Sequence, residues 1–296
     1  MPAQEVTLGA PVPARRWDRL AILAGGGALP VRLAEACERE GAPFAVIRLA
    51  GYADEGTARF GGPECGIAEV GKCVRLMRQA GCDALVMAGV VARPDLSALA
   101  PDWRGVALLP RVVRAARRGD GAVLDVLVEA FEAEGFLVVG ADEVSGALGA
   151  GAGPLGAHAP SEADRADMAK AAAIVAALGP FDVGQGAVVR DGLVLAVEAA
   201  EGTDAMLARV AALPPPGEGQ PRGVLLKRPK PGQELRVDLP TIGVRTVELA
   251  AAAGLAGVAV EAGAALVLDR DAVARAADAA GLFVHGYEAG AGAGAP

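Results

Sequence analysis

The stretch from Leu20 to Leu49 constrains the fold more than any other part of the chain. It contains, in order, the apolar run Leu20 to Ala24, the glycine turn Gly25 to Pro30, helical periodicity over Val31 to Glu40, and the apolar run Phe44 to Leu49. Two parallel strands need a crossover connection, which is usually a helix. This order of elements therefore predicts a β-α-β unit with parallel strands.

The same alternation continues and predicts an α/β fold whose first domain, residues 17–145, is a Rossmann-like parallel sheet wrapped by helices. The further predicted elements are a helix over Ile67 to Ala80, the strand Ala84 to Ala88, helices over Arg111 to Arg117 and Val123 to Glu134, and the strand Phe136 to Val139. Residues 1–16 lack periodicity and the apolar core of a signal peptide, so we expect a disordered extension.

A second domain is predicted after a boundary. Residues 146–160 are rich in Gly, Ala and Pro and are typical of a linker. Residues 161–288 alternate between helical and strand patterns, which predicts a mixed α/β domain. Within it, Asp191 and Gly192 separate two apolar runs and predict a type I′ hairpin. Residues 289–296 are expected to be a disordered tail.

Charge and rare side chains exclude several function classes. Lys and Arg total 28 against 36 Asp and Glu, and this net charge of −8 argues against a nucleic-acid-binding protein. Two histidines and three serines, none within G-x-S-x-G, argue against serine-hydrolase chemistry and multi-histidine zinc sites. Four cysteines without C-x-x-C spacing are expected to be reduced thiols of a cytoplasmic protein. No run is apolar enough to predict a membrane span.

The glycine turn is the first candidate binding site. Backbone N–H groups of Gly25, Gly26 and Gly27 can approach a phosphate closely, and the following helix adds a favourable dipole. Pro30 stands where the dinucleotide motif G-x-G-x-x-G has its last glycine, so a tight turn without a ligand is an equal alternative. Arg93 follows a strand, at the sheet edge where ligands of open α/β sheets bind, although it is also explained as a surface arginine.

Three carboxylates form the second candidate site, where a strand gives way to a helix: Glu198, Glu201 and Asp204. Carboxylate oxygens are the ligands that Mg²⁺ prefers, and the N–H groups at a helix start can bind phosphate. Helix capping by Thr203 or Asp204 explains only part of this pattern. We therefore predict Glu198 and Glu201 as metal ligands, and Gly202 and Thr203 as substrate contacts.

The segment from Lys227 to Gly243 is the most informative part of the sequence. It gathers four cations in an otherwise acidic chain, namely Lys227, Arg228, Lys230 and Arg236. Such a cluster would neutralise a diphosphate, although a solvated charged loop is the alternative. Asp238 stands among these cations, at the end of a predicted strand over Glu234 to Leu239.

Roles follow from this arrangement. Asp238 would hold a divalent metal or orient a water molecule, and Lys227, Lys230 and Arg236 would stabilise charge on the diphosphate oxygens. Gln233 and Thr241, from the same segment, are predicted as further substrate contacts.

Five segments together resemble one known family. They are Gly25 to Pro30, Gly89 to Pro94, Phe181 to Gly186, Glu198 to Asp204 and, above all, Lys227 to Gly243. From about Arg19 to Tyr287 the chain resembles the LpxI family, the UDP-2,3-diacylglucosamine pyrophosphatases of lipid A biosynthesis. Gln185, in the third segment, joins the predicted substrate contacts.

The resemblance implies a hydrolase acting on a phosphorus-containing anhydride. It implies hydrolysis of UDP-2,3-diacylglucosamine to UMP and 2,3-diacylglucosamine 1-phosphate (lipid X), with Mg²⁺ or a similar divalent ion, in a Gram-negative cytoplasm. It also implies two domains that close on the substrate, an essential aspartate at Asp238, and attack of water on the sugar-side phosphorus.

Such a glycolipid substrate carries two acyl chains and requires a long apolar surface, which we expect in the Ala/Leu/Val-rich second domain. It also leads us to expect peripheral contact with the inner membrane, although no basic amphipathic helix is evident in the sequence. Two alternatives remain open. One is a non-catalytic carrier or sensor of an acylated sugar phosphate, and the other is a nucleotide-sugar oxidoreductase that uses the glycine turn.

Overall fold

The computed structural model describes residues 15–92, 99–217 and 222–289. Its strands are β1 (Leu20–Ala24), β2 (Phe44–Leu49), β3 (Glu64–Cys65), β4 (Ala84–Ala88), β5 (Leu137–Val138), β6 (Gly153–Pro154), β7 (Gly186–Arg190), β8 (Leu193–Val197), β9 (Val224–Lys227), β10 (Thr241–Ile242), β11 (Gly257–Glu261), β12 (Leu266–Val267) and β13 (Phe283–Tyr287). Its α-helices are α1 (Leu29–Arg39), α2 (Val70–Gln79), α3 (Trp103–Ala116), α4 (Asp120–Ala133), α5 (Ala141–Val144), α6 (Glu162–Leu178), α7 (Gly202–Ala211), α8 (Val244–Ala252) and α9 (Arg270–Ala280). Arg93 lies outside the described residues, as do most of the residues predicted to form disordered ends.

The first domain is built on a five-stranded sheet in the order β3-β2-β1-β4-β5, with every neighbouring pair parallel. β1 is central and buried along its whole length. The chain moves outward from β1 in one direction through β2 and in the other through β4, which creates a crevice at the carboxyl ends of these strands. The predicted β-α-β unit and the Rossmann-like sheet are confirmed.

The second domain contains a six-stranded mixed sheet in the order β6-β13-β11-β9-β7-β8. β13, β11 and β9 are parallel, whereas β6, β7 and β8 join them through antiparallel pairs. Asp191 and Gly192 have φ values of 48° and 71°, as the predicted type I′ hairpin turn requires. The mixed α/β character predicted for this half of the chain is therefore confirmed.

Three local predictions differ from the structure. The helix predicted over Arg111 to Arg117 is α3, which begins eight residues earlier at Trp103. The segment Glu234 to Leu239 is a turn and not a strand, because the N–H groups of Val237 and Asp238 both donate to Glu234 O, at 3.3 and 3.2 Å. The predicted linker is partly structured, since it holds a 3₁₀ turn and the short strand β6.

Asp102 determines where α3 begins and joins it to α2. Its carboxylate accepts hydrogen bonds from the N–H groups of Arg104 and Gly105 in α3, at 3.1 and 2.9 Å, and from Lys72 N in α2, at 2.7 Å. Burial raises the pKa of Asp102, but these backbone donors outweigh it and the net pKa is lowered. The ionised carboxylate therefore stabilises the packing of both helices.

We expect Asp102→Asn to destabilise the protein at neutral pH by about 1 to 2 kcal/mol, because the amide must turn an N–H group towards a backbone donor. A lowered carboxyl pKa gives stability that is complete above the unfolded pKa and is lost as the pH falls through the folded pKa. The free energies of unfolding of the wild type and the variant, measured with urea, should therefore differ at neutral pH and become equal below about pH 4. Asp125→Asn, on the exposed side of α4, is the control. An equal difference at both ends of the pH range would contradict this account.

Candidate functional site

Three side chains at one end of the second sheet form a polar chain, in which Lys227 and Glu198 are buried and Thr203 is half-buried. Lys227 ends β9 and is 6% exposed. Its Nζ donates a hydrogen bond to Thr203 Oγ1 at 2.6 Å and lies 3.9 Å from Glu198 Oε2. The Thr203 hydroxyl in turn donates to Glu198 Oε1 at 3.0 Å. The structure thus brings together residues that the sequence predicted in two separate segments.

One oxygen of Glu198 is left without a donor. In the part of the chain that the structure describes, the buried Oε2 has no hydrogen-bond partner. Gly186, across from Lys227 on β7, leaves the space this oxygen needs, since a Cβ there would lie 2.7 Å from it. A buried carboxylate oxygen without a donor is costly, so this atom suits a cation or a ligand donor.

Asp182 is a site residue that sequence reasoning missed. It adopts a left-handed conformation, with φ 54°, after the 3₁₀ turn Gly179–Phe181, and its carboxylate forms an ion pair with Lys230. It also reaches the start of α4 in the first domain, where Gly121 N–H donates to its Oδ2 at 3.4 Å. Gly119 is required there, because a Cβ would lie 1.7 Å from Oδ2. The signal available in the sequence was its place in the segment Phe181 to Gly186.

Asp238 lies beside these cations in a partly exposed position. Burial raises the pKa of its carboxyl group and the neighbouring Asp182 raises it further, while a hydrogen bond with Gln185 and the charges of Lys230 and Lys227 lower it. The net pKa is raised, so this carboxyl group takes up a proton at a higher pH than an ordinary aspartate.

Gln233 and Thr241 brace the loop that carries Asp238. The Gln233 amide group donates to Asp238 O, and its Oε1 accepts from Lys230 N at 2.9 Å. The Thr241 hydroxyl donates to Leu239 O at 3.1 Å. Both side chains therefore hold the backbone around Asp238 in the structure, and their predicted substrate contacts remain a prediction.

Arg236 anchors the same loop to the first domain. Its Nε and Nη2 bind both oxygens of Glu234, at 3.0 and 2.6 Å, and its Nη1 lies 2.7 Å from Glu132 Oε1 near the end of α4. Glu234 and Glu132 raise the pKa of this guanidinium, which stays charged. Two carboxylates thus hold Arg236 in this structure, and its predicted catalytic role stays a prediction.

The glycine turn directs its donors to protein atoms. Gly25 N and Gly26 N donate to Ala88 O and Val90 O at 2.8 and 2.9 Å, and Gly27 N donates to Asp54 Oδ2 at 2.5 Å. The N–H groups expected to bind phosphate are therefore occupied in this structure. Gly26 and Gly27 nevertheless line the large cavity next to Asp238.

This cavity, of about 660 Å³, lies between the sheet of the first domain and its helices. It is lined mainly by apolar side chains of β1, β4, α2, α3 and α4, and closed on one side by Leu235 to Leu239 of the second domain. Asp238 is among the lining residues. Most residues that line this cavity belong to the first domain, whereas the sequence led us to expect the long apolar surface in the second domain. Where acyl chains bind stays a prediction.

The predicted metal ligands are not assembled as a group of three. Glu201 forms an ion pair with Arg209 and is exposed, and Gly202 N donates to Ala199 O at 3.1 Å. Across residues 15–92, 99–217 and 222–289, no cluster of three or more His, Cys, Asp and Glu side chains is arranged to hold a metal ion. Glu198 and Asp238 are the predicted ligands that face the cationic cluster.

Two family models together match most of the chain. The LpxI N-terminal domain matches residues 19–148, and the LpxI C-terminal domain matches residues 151–285. The chain belongs to the LpxI family. A relative from Caulobacter vibrioides, named UDP-2,3-diacylglucosamine pyrophosphatase LpxI, is 53% identical over 273 residues, which cover 91% of this chain and 98% of the relative. The resemblance inferred from five segments is confirmed.

We expect Thr203→Val to lower the free energy of unfolding by roughly 1 to 3 kcal/mol. The valine keeps the side-chain shape but removes the hydroxyl that joins Lys227 to Glu198, so two buried charges lose their bridge. Urea unfolding measures the change, and Thr203→Ser, which keeps the hydroxyl, is the matched control. Equal stability of the Val and Ser variants would show that the bridge contributes nothing.

Proposed function

We propose that this protein hydrolyses the diphosphate bond of UDP-2,3-diacylglucosamine and releases UMP and 2,3-diacylglucosamine 1-phosphate. The observation that carries the proposal is the position of Asp238, which lies between a cationic cluster and a large apolar cavity. A ligand that joins a diphosphate to two acyl chains needs both environments side by side. The name of the Caulobacter relative describes an enzyme for such a substrate.

Lys227 and Lys230 supply positive charge on the polar side of Asp238. The positive charges of Lys230 and Lys227 lower the pKa of the Asp238 carboxyl group, although burial keeps its net pKa raised. A diphosphate beside them would have its charge offset before an electron-rich water approaches, and cations that strengthen their contact in the transition state accelerate the reaction. Lys230 would have to exchange part of its contact with Asp182 for the substrate.

Asp238 would act on the attacking water. In its ionised form the carboxylate accepts a hydrogen bond from water and then its proton, while the water oxygen bonds to the sugar-side phosphorus. The bond from that phosphorus to the bridging oxygen breaks, and the bridging oxygen leaves on UMP. Because burial raises the pKa of Asp238, its basicity lies closer to neutral pH, which improves a general base.

Mg²⁺ or a similar divalent ion is proposed as the cofactor. Asp238 fits as a ligand because Mg²⁺ is commonly held by one or two carboxylates together with substrate phosphates. Glu198 Oε2, buried without a donor among the described residues, fits as the second carboxylate oxygen. Glu201, already paired with Arg209, fits less well. When bound, the ion would offset negative charge on the diphosphate.

The location proposed for this reaction is the cytoplasmic side of the inner membrane, with peripheral contact. Within the described ranges, no helix combines the length and apolar character that crossing a bilayer requires. A substrate with two acyl chains resides in a membrane, so the enzyme must collect it there.

We expect Asp238→Asn to lower kcat by roughly 100-fold to 10,000-fold, because the amide keeps the shape of the side chain but cannot accept the proton from water. UMP release with Mg²⁺ present measures the rate, and calorimetry with the substrate should show that binding persists. Asp125→Asn serves again as the surface control. UMP release close to the wild-type rate would refute the assignment, and retained lipid with no UMP from the wild type would favour a carrier.

The cavity can be tested by filling it. We expect Leu127→Trp, on the cavity-lining side of α4, to raise KM for the long-chain substrate by about tenfold or more, since overpacking costs roughly 1 to 3 kcal/mol. For a substrate with shortened acyl chains, the Leu127→Trp substitution should raise KM much less. Leu127→Met, which has a similar volume, should behave as wild type. Equal KM changes for both chain lengths would place the acyl chains elsewhere.

A further inference from the structure

α3 has two faces of different character. Its inner face lines the apolar cavity through Gly105, Leu108, Leu109, Val112 and Ala116. On the opposite side Trp103 is 68% exposed and Val106 is 56% exposed, and Pro110 is also exposed. Helical spacing of three and four residues places these side chains on one face. Large apolar side chains exposed together mark a contact surface more often than isolated ones do.

The same helix and the turn after it are rich in arginine. Arg104 is paired with Glu134 and Arg111 with Glu129. Arg114, Arg117 and Arg118 follow towards the end of the helix, and all three have exposed side chains. In a chain whose net charge is −8, this gives one end of α3 a local positive charge. We call Trp103, Val106, Pro110, Arg114, Arg117 and Arg118 the outer face of α3.

We infer that the outer face of α3 docks on a bilayer that contains anionic lipid headgroups. Tryptophan and aliphatic side chains enter the interfacial region, while arginines bind headgroup phosphates. This inference rests on the proposed function, because the opposite face of the same helix lines the cavity assigned to the acyl chains. In this arrangement α3 alone would separate the bilayer from the cavity, so a substrate in the membrane would have only a short distance to travel.

Charge favours a bilayer over a second copy of the chain as the occupant. Two copies that pair through the same face about a two-fold axis would bring their own Arg114, Arg117 and Arg118 together. Anionic headgroups instead present a continuous negative surface to these cations.

Tryptophan emission can report the contact directly. The sequence has two tryptophans, of which Trp17 is 8% exposed and Trp103 is 68% exposed. We expect vesicles of phosphatidylethanolamine and phosphatidylglycerol to shift the emission of the full chain to shorter wavelength and to carry the protein down on sedimentation. With vesicles of phosphatidylcholine alone, both the emission shift and the fraction of protein sedimented should be much smaller.

The arginines are tested by Arg114→Gln, Arg117→Gln and Arg118→Gln together. We expect binding to the anionic vesicles to weaken by roughly 100-fold, since each arginine near a charged surface contributes about 1 kcal/mol. The matched control changes three exposed arginines of other helices, Arg39, Arg165 and Arg275, to Gln. It alters the net charge equally and should retain most of the binding.

The apolar side chains are tested by Trp103→Ser with Val106→Ser, and binding is then followed by sedimentation. The control is Leu193→Ser with Val194→Ser, which removes exposed apolar side chains from β8. Binding should weaken in the first pair and persist in the second. All these variants should still hydrolyse substrate dispersed in detergent micelles at the wild-type rate, because none of the changed residues lines the cavity.

The outcomes separate this inference from the proposed function. If the wild type does not bind anionic vesicles, or if the outer-face variants bind as tightly as their controls, the docking surface is wrong. If the wild type sediments as a dimer that these substitutions dissociate, and vesicles do not bind, the face is an interface between copies and the inference is equally overturned. If vesicles bind as expected but no UMP is released, the proposed function fails and the docking surface stands.

Discussion

The burial of one ammonium group organises the proposed active site. Lys227 ends a strand whose other residues are apolar and buried, and a cation in such a place must be paired and hydrogen-bonded. Glu198 and Thr203 meet this requirement, and Gly186 provides the space for the Glu198 carboxylate. The start of α7, the end of β8 and the end of β9 are thereby fixed relative to one another. The loop that carries Asp238 leaves from this fixed point and reaches the other domain.

Much of the fold follows from the sequence because buried parallel strands are continuous apolar runs. Leu20 to Ala24, Phe44 to Leu49 and Ala84 to Ala88 match their strands residue for residue. Lys227 and Asp238 also stand out, because cations and an acid rarely cluster in an acidic chain. Asp182 does not stand out, since its partners Gly119 and Gly121 lie in another domain. The prediction groups Glu201 with Glu198 because the two are close in sequence. Residues that are close in sequence can face different ways, and the Glu201 side chain pairs with Arg209.

The two domains pack their apolar side chains differently. The second domain is rich in alanine, and buried residues such as Ala171, Ala250 and Ala277 let its helices approach the sheet closely. Small side chains of this kind allow close packing of that core. In the first domain, Leu and Val side chains on α3 and α4 face an open volume of about 660 Å³. The structure extends α3 through Gly105 and Pro110, two residue types that disfavour helix, because packing and the Asp102 cap overcome that preference.

The second domain binds α4 at both of its ends. Asp182 meets its first turn and Arg236 holds Glu132 in its last turn, whereas α3 packs between α2 and α4 with its outer side exposed. The second domain thus contacts the α4 wall of the cavity at both of its ends. Arg236 and Glu132 therefore link the loop that carries Asp238 to one wall of the cavity, so a displacement of either element would be felt by the other.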